Sequence, residues 1–308
     1  MCAATVVTDD PQVLLARRPV PRRAPGSPRA VFLVAPADWS LALESAVDNR
    51  YVQTAASVSA ERALQQHHGL HRALCAAGIP TLCFAGDPAA PDGVFPNNVF
   101  ATSPGRVIVG AMRHAVRRRE AQRADLRAFF CDVLRYELID LSTRDLCAEL
   151  TGSLVIDRAR KIGYCGLSER CDEAGAEAMA AAFDLDLVLR FELAPGEYHT
   201  NVVMSALGGH GVALCPEGFA DPRVPAAIEA FYGTARSVRL SVAEKNAYAA
   251  NCIVLGQRQL WLSCHAETAL RPATIAAFER LGLKRHAVAL DEFEKAGGSL
   301  RCMIGEIY

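Results

Sequence analysis

The chain carries no excess of charge of either sign: 33 lysines and arginines stand against 34 aspartates and glutamates, for a net charge of -1. Nothing therefore steers the whole molecule toward nucleic acid or an anionic membrane. No run of about 18 apolar residues exists, so no transmembrane helix is expected. No charged n-region followed by an apolar stretch opens the sequence, so no secretory signal is read there. The 11 cysteines include no C-x-x-C pair, which removes the usual zinc and dithiol spacings. Neither a phosphate-binding glycine loop nor a nicotinamide fingerprint occurs, so neither cofactor nor metal is expected. Scattered cysteines without a disulfide framework fit a reducing cytoplasm.

What is present is apolar material for a large core, 51% of 308 residues. Residues 1–29 read as a loose arm, because Arg17, Arg18, Pro19, Pro21, Arg22, Arg23, Pro25 and Pro28 combine proline with repelling charge. Residues 30–308 read as one catalytic domain. Inside it a unit recurs: strand, tight turn, strand, helix, strand. The first copy has strands 99–102 and 107–111, helix 116–130 and strand 136–140. The next has strands 154–157 and 161–164, helix 172–183 and strand 187–191. The third has strands 201–207 and 212–215, helix 224–232 and strand 237–240. The fourth has strands 251–255 and 259–263, helix 267–281 and strand 284–289.

A fifth unit is split between the two ends. Strand 30–35, helix 59–77 and strand 81–84 lack a first strand, and the apolar stretch 302–308 supplies one. The expectation is an α/β fold, a five-bladed α/β propeller of ββαβ repeats closed by pairing of its N- and C-terminal strands. Radial repetition leaves few exposed sheet edges. His67, His68 and His71 fall on the helix 59–77, where a solvated face is expected, since no carboxylate or cysteine joins them.

In such a ring, the loops entering the first strand of each unit converge on the axis. Those loops hold Asn97-Asn98, Glu149, His199, Asn251 and Cys302. A cysteine beside a proton-shuttling histidine is the arrangement that thiol catalysis requires. Cys302 follows the glycine loop Gly297-Gly298 and precedes a strand, so it can face a site while its backbone stays fixed. A nucleophile there is expected to have a lowered pKa and to alkylate selectively, faster than Cys264.

These residues resemble the guanidino-group modifying enzymes of the amidinotransferase, or pentein, superfamily, which includes arginine deiminase, dimethylarginine dimethylaminohydrolase and the glycine amidinotransferases. The matching stretches are Asp92-Gly93-Val94-Phe95-Pro96-Asn97-Asn98, Glu149-Leu150-Thr151-Gly152-Ser153, Gly166-Leu167-Ser168-Glu169-Arg170, His199-Thr200-Asn201-Val202 and Gly298-Ser299-Leu300-Arg301-Cys302. The nearest likeness is to bacterial arginine-deiminase-related citrulline hydrolases. The resemblance implies a central active site and covalent catalysis by Cys302. It implies that His199 protonates the departing nitrogen and then activates water, while Glu149 holds substrate nitrogens and orients His199. It further implies that Arg170 binds the substrate α-carboxylate, with Arg113 as a second candidate cation and Asp92 on the substrate.

The departures set the expected substrate. Guanidinium-binding relatives carry two carboxylates where this chain has Asn97 and Asn98. A buried cation needs acidic partners, whereas an amide complements a neutral ureido group, donating to its carbonyl and accepting from its N–H. Leu150 stands where a glycine is expected, and strand 30–35 ends in alanine where an arginine would anchor substrate. The expectation is a cysteine hydrolase of a citrulline- or arginine-like amino acid, citrulline first. An amidinotransferase and a non-catalytic binding relative are the alternatives. Its partner is a small amino-acid substrate, without nucleic acid or membrane, and a homo-oligomer stays open.

Overall fold

Short apolar runs rich in β-branched residues become buried strands, such as Ala30–Val34 and Ile162–Leu167. The structure, a computed structural model, describes residues 5–17, 21 and 26–308. Among the described residues the strands form five sheets, none closed on itself. Each contains an antiparallel pair followed by a parallel strand. Phe100–Ser103 pairs antiparallel with Arg106–Val109, which pairs parallel with Glu137–Asp140. Leu154–Asp157, Ile162–Leu167 and Leu187–Glu192 repeat the pattern. So do Met204–Ala206, Val212–Leu214 and Ser237–Arg239. Ile253–Leu255, Gln259–Ser263 and Lys284–Val288 complete the fourth copy.

The fifth sheet joins the two ends of the chain. Gly305–Ile307 pairs antiparallel with Ala30–Val34, which pairs parallel with Thr81–Phe84. Thr102 ties this junction to the next sheet: its hydroxyl donates to Glu306 O at 2.8 Å and accepts from Tyr308 N–H at 3.1 Å. The helix Ala60–Ala76 begins on Ser59, whose side chain accepts from Arg62 N–H, and stops before Gly78 at φ 78°. Cap and stop lie where the sequence puts them.

Several elements differ from the sequence reading; on the helix just described, His67 is buried rather than solvated. The helix expected over 116–130 is broken into Ala115–Arg118, Glu120–Gln122, Ala124–Ala128 and Phe129–Val133. The break turns Arg117 inward, where it bonds Glu120 and the carbonyls of Asp92 and Phe95. The helix expected over 267–281 is two, Cys264–Ala269 and Pro272–Arg280. Pro272 lacks the N–H to continue a helix and pushes Arg271 to extended backbone. The apolar stretch 302–308 opens as a helical turn, Leu300–Met303, before its strand.

The N-terminal arm is not loose where it is described. Val6–Thr8 adds a parallel strand to Leu187–Glu192. Asp10 then caps the helix Pro11–Leu15, its carboxylate accepting from Gln12 N–H at 2.9 Å. Leu14 of that helix is fully buried in one cluster with Val224 and Ile228. The strand pairing and the buried Leu14 thus dock a stretch that proline content alone would leave free. Arg18, Pro19, Arg22, Arg23 and Pro25 lie outside the described residues. Leu14→Ala is expected to cost about 3 kcal/mol in urea unfolding, whereas an undocked arm would leave the midpoint unmoved. Among the described residues no helix is long and apolar enough to cross a membrane.

Candidate active site

Short helical turns lead into the first strands of four sheets, and each carries a site residue. They are Pro96–Asn98, Leu150–Ser153 with Glu149 at its start, Thr200–Val202 with His199 at its start, and Leu300–Met303 with Cys302. Gly152 shows how tightly they converge. A Cβ there would lie 2.5 Å from Asn98 Oδ1 and 2.8 Å from His199 Nδ1, closer than side chains pack. Leu150, beside Glu149, turns away into the core with Ala111, Ala148 and Leu154.

Glu149 is fully buried at the centre. Its Oε2 lies 2.9 Å from His199 Nε2 and 3.2 Å from Arg170 Nη1. Its Oε1 accepts from the Arg113 backbone N–H at 3.3 Å, and Arg117 Nη1 stands 4.0 Å from Oε2. Burial alone would raise the carboxyl, but Arg170, His199 and Arg117 together hold it far below the usual range. An ionised Glu149 can only accept, so His199 Nε2 carries the proton that they share. That leaves His199 Nδ1 as a bare acceptor, and it is buried with no partner. Burial also keeps the imidazole below its ordinary pKa, outweighing Glu149. The histidine is therefore a neutral base with a free lone pair. Tyr198 fixes its ring, at 4.4 Å between centroids, and Tyr198 OH donates to Gly297 O at 2.6 Å.

Cys302 is 1% exposed. Asn251 Nδ2 lies 3.3 Å and Asn201 Nδ2 3.7 Å from its Sγ. Burial pushes the thiol up, more than these amides lower it. This departs from the expected lowered pKa, and the reason is local: the sulfur is buried, and the two amides together with the charge of Arg301 do not offset that burial. Cys302 and His199 line one cavity of about 20 Å³ together with Asp92, Asn98, Arg117 and Arg170.

The remaining candidates divide. Asp92 is buried and accepts from Ser45 Oγ at 2.6 Å. Asn98 lines the cavity, and its Oδ1 has no partner. Asn97 is not part of the cavity wall; both its amide atoms are buried and unpartnered. Arg170 is brought in but already paired: it bonds Asp48, Glu149 and Ser45 O. The Arg113 side chain is half exposed on Glu169, 3.2 Å away, and only its backbone reaches the site. The buried second guanidinium is that of Arg117, which sequence reasoning passed over inside a run of three arginines on an expected surface helix. Asn201, Tyr198, Ser45 and Asp48 were missed as well; none carries a spacing that would have marked it.

Comparisons with known proteins follow the same lines. A family model described as N,N dimethylarginine dimethylhydrolase, eukaryotic, matches residues 35–308. Uncharacterized protein ZK1307.1 of Caenorhabditis elegans is 25% identical over 252 residues, 80% of this chain and 84% of its own. The N-terminal domain of ArgZ, an arginine dihydrolase from the Ornithine-Ammonia Cycle in Cyanobacteria, superposes with a TM-score of 0.78 at 19% identity. That match covers 90% of this chain and 97% of the domain. The DDAH of Pseudomonas aeruginosa, solved as a complex with citrulline, gives a TM-score of 0.68 at 19% identity, over 91% of this chain and 100% of its own. At these identities the two structures show a shared α/β fold with sheets.

Proposed function

We propose a function from one premise: this chain belongs to the N,N dimethylarginine dimethylhydrolase family, within the guanidino-modifying pentein superfamily. It is a cysteine hydrolase of the ureido or guanidino carbon of a citrulline- or arginine-like amino acid, with citrulline the first candidate. One observation carries this: a buried thiol and a histidine with an unpartnered Nδ1 line one cavity, and an ionised glutamate holds the other nitrogen of that histidine. The five sheets are read as five blades around that cavity, supported by the repeated pairing and the joined ends. A cytoplasmic location belongs to the same proposal, supported by free cysteines throughout the described chain.

The proposed chemistry runs as follows. Cys302 Sγ attacks the trigonal carbon as its proton passes to His199 Nδ1. The bond from that carbon to the terminal nitrogen breaks, and His199 returns the proton to the departing ammonia. An S-linked thiocarbamate remains on Cys302. Water, giving its proton to His199, then cleaves the C–S bond and restores the thiol. The carbamate so released loses carbon dioxide and leaves the free amine. Glu149 stabilises the imidazolium formed in each half, as the acidic member of a triad does.

At rest, burial holds the thiol above its ordinary range and the imidazole below. Both are then neutral at pH 7, so Cys302 of the ligand-free chain is expected to alkylate slowly. Its rate with iodoacetamide should keep climbing past pH 9. A plateau by pH 7 would show instead a thiolate already formed.

The ureido preference rests on Asn98 at the cavity wall. Asn98→Asp would offer a cation an acidic partner and deny the ureido carbonyl a donor. The ratio of kcat/KM for arginine over citrulline is expected to rise at least about tenfold. The deciding assay is release of ammonia from citrulline and arginine, and of ammonia or a methylamine from methylarginines. Turnover of citrulline supports the whole proposal; turnover of arginine alone keeps the cysteine chemistry and removes the ureido preference. Release of the substrate's alkyl amine only with an added amine acceptor, and without free ammonia, would make the chain a transferase. The DDAH complex with citrulline and the arginine dihydrolase ArgZ show that proteins of this fold bind the one compound and act on the other.

A further inference from the structure

Between the strand Ala30–Val34 and the helix Ala60–Ala76, residues 43–48 cross the cavity with apolar side chains turned outward. Leu43 is 64% and Val47 80% exposed. Apolar burial at these two positions does not hold the stretch down; polar contacts to the site do. Ser45 Oγ donates to Asp92 Oδ2 at 2.6 Å, and Ser45 O accepts from Arg170 Nη2 at 2.7 Å. Asp48 grips the same guanidinium, with Nη2 2.5 Å from Oδ1 and Nε 2.9 Å from Oδ2. On its other side His114 Nε2 lies 3.0 Å from Asp48 Oδ2. Glu44 accepts from Ala115 N–H at 2.7 Å.

The cavity left beneath is about 20 Å³, enough for one water. An amino acid of about a dozen non-hydrogen atoms cannot enter until this stretch moves. The two groups assigned above to the substrate, Asp92 and Arg170, are the ones already occupied. Arg170 is 2% exposed, and a buried guanidinium stripped of its partner is costly. It therefore requires an acid whether or not a ligand is bound.

We propose that residues 45–48 stand in for the substrate: Asp48 takes the place of the α-carboxylate on Arg170, and Ser45 the place of an N–H donor on Asp92. This rests on the function proposed above and on the carboxylate-binding role that the family resemblance implies for Arg170. Binding is then an exchange, one carboxylate for another on a guanidinium that is never left bare. Asp48 becomes a specificity-determining residue. A ligand with an α-carboxylate can displace it, while the corresponding amine has nothing to offer Arg170. The guanidinium holds the Asp48 carboxyl below its usual range although burial opposes this, so the competitor stays charged. The apparent affinity for substrate is reduced by the fraction of time the stretch is displaced.

Two readouts test this. In the ligand-free protein, iodoacetamide labelling of Cys302 is followed by peptide mass spectrometry, with the exposed Cys264 as reference. Asp48→Asn is expected to speed Cys302 about tenfold relative to Cys264, and Asp48→Glu to restore the slow rate. An unchanged rate in Asp48→Asn overturns the proposal. On whichever amino acid is turned over, Asp48→Asn should lower KM about five- to tenfold with kcat held; a higher or unchanged KM also overturns it, because Asp48 would then not compete with the ligand. Should Asp48→Asn fail to fold, Ser45→Ala removes the other contact and is expected to speed labelling about threefold, with no change again fatal. Silence of the whole substrate panel would remove the proposed function, while the labelling would still decide whether Asp48 keeps the site shut.

Discussion

Replacing Cys302 by alanine is expected to abolish ammonia release, by at least about 10⁴-fold in kcat. The size follows from the proposed role: without the sulfur no S-linked intermediate forms, and among the described residues no second cysteine lines the cavity. Stability should change little in comparison. Cys302 is a small buried side chain whose loss leaves a space about the size of its sulfur, costing about 1 kcal/mol. The pairing of a dead enzyme with an intact unfolding midpoint separates a nucleophile from a piece of core. Residual turnover within tenfold of the parent would mean that Cys302 only packs, and the proposed chemistry would fall with it.

Glu149→Gln is expected to fail in both ways at once. The glutamine keeps the shape but removes the charge that faces Arg170, His199 and Arg117. Taking one partner from a buried ionic group costs about 3–5 kcal/mol, readable in urea unfolding at pH 7. Activity should drop at least about 10³-fold, because the neutral amide neither fixes the Nε2 proton nor stabilises an imidazolium. The sign with pH is fixed by the direction of the shift. The folded carboxyl titrates well below the unfolded one, so its stabilisation is complete above the unfolded value of about 4.3. It is lost as pH falls toward and through the folded value. The gap between parent and Glu149→Gln is therefore expected to be widest at neutral pH and to narrow below about pH 4. A gap that held constant into acid would mean that Glu149 is not the anion of the pair.

How much of this was legible depends on the length scale of the cause. The recurring strands could be read because each is a local apolar run with a turn beside it, as in Phe100–Ser103 and Arg106–Val109. Glu149, His199 and Cys302 could be read because a repeat gives equivalent positions one destination. Pro272 carried its own signal for the broken helix, and a long apolar periodicity on either side obscured it. Arg117 and Asp48 were not legible, since each is defined by a partner distant in sequence. Arg113 and Arg117 differ by one helical turn, and only the break near Ala115–Arg118 decides which guanidinium turns inward. The thiol's raised pKa belongs to the same class: it comes from the burial of Cys302, which outweighs the amides around the sulfur, and composition does not encode that burial.

The sheet that joins the two ends also sets a timetable. Strand Ala30–Val34 leaves a ribosome long before its partner Gly305–Ile307, with the repeated strands of the other four sheets emerging in between. Cys302 sits just ahead of that late strand. Four sheets can pair during synthesis with the fifth still waiting for an antiparallel neighbour. Contacts so distant in sequence are slow to form. Nascent protein would thus pass through a stage with His199 and Glu149 assembled and no sulfur to serve. The proposed chemistry is withheld until strand Gly305–Ile307 has emerged.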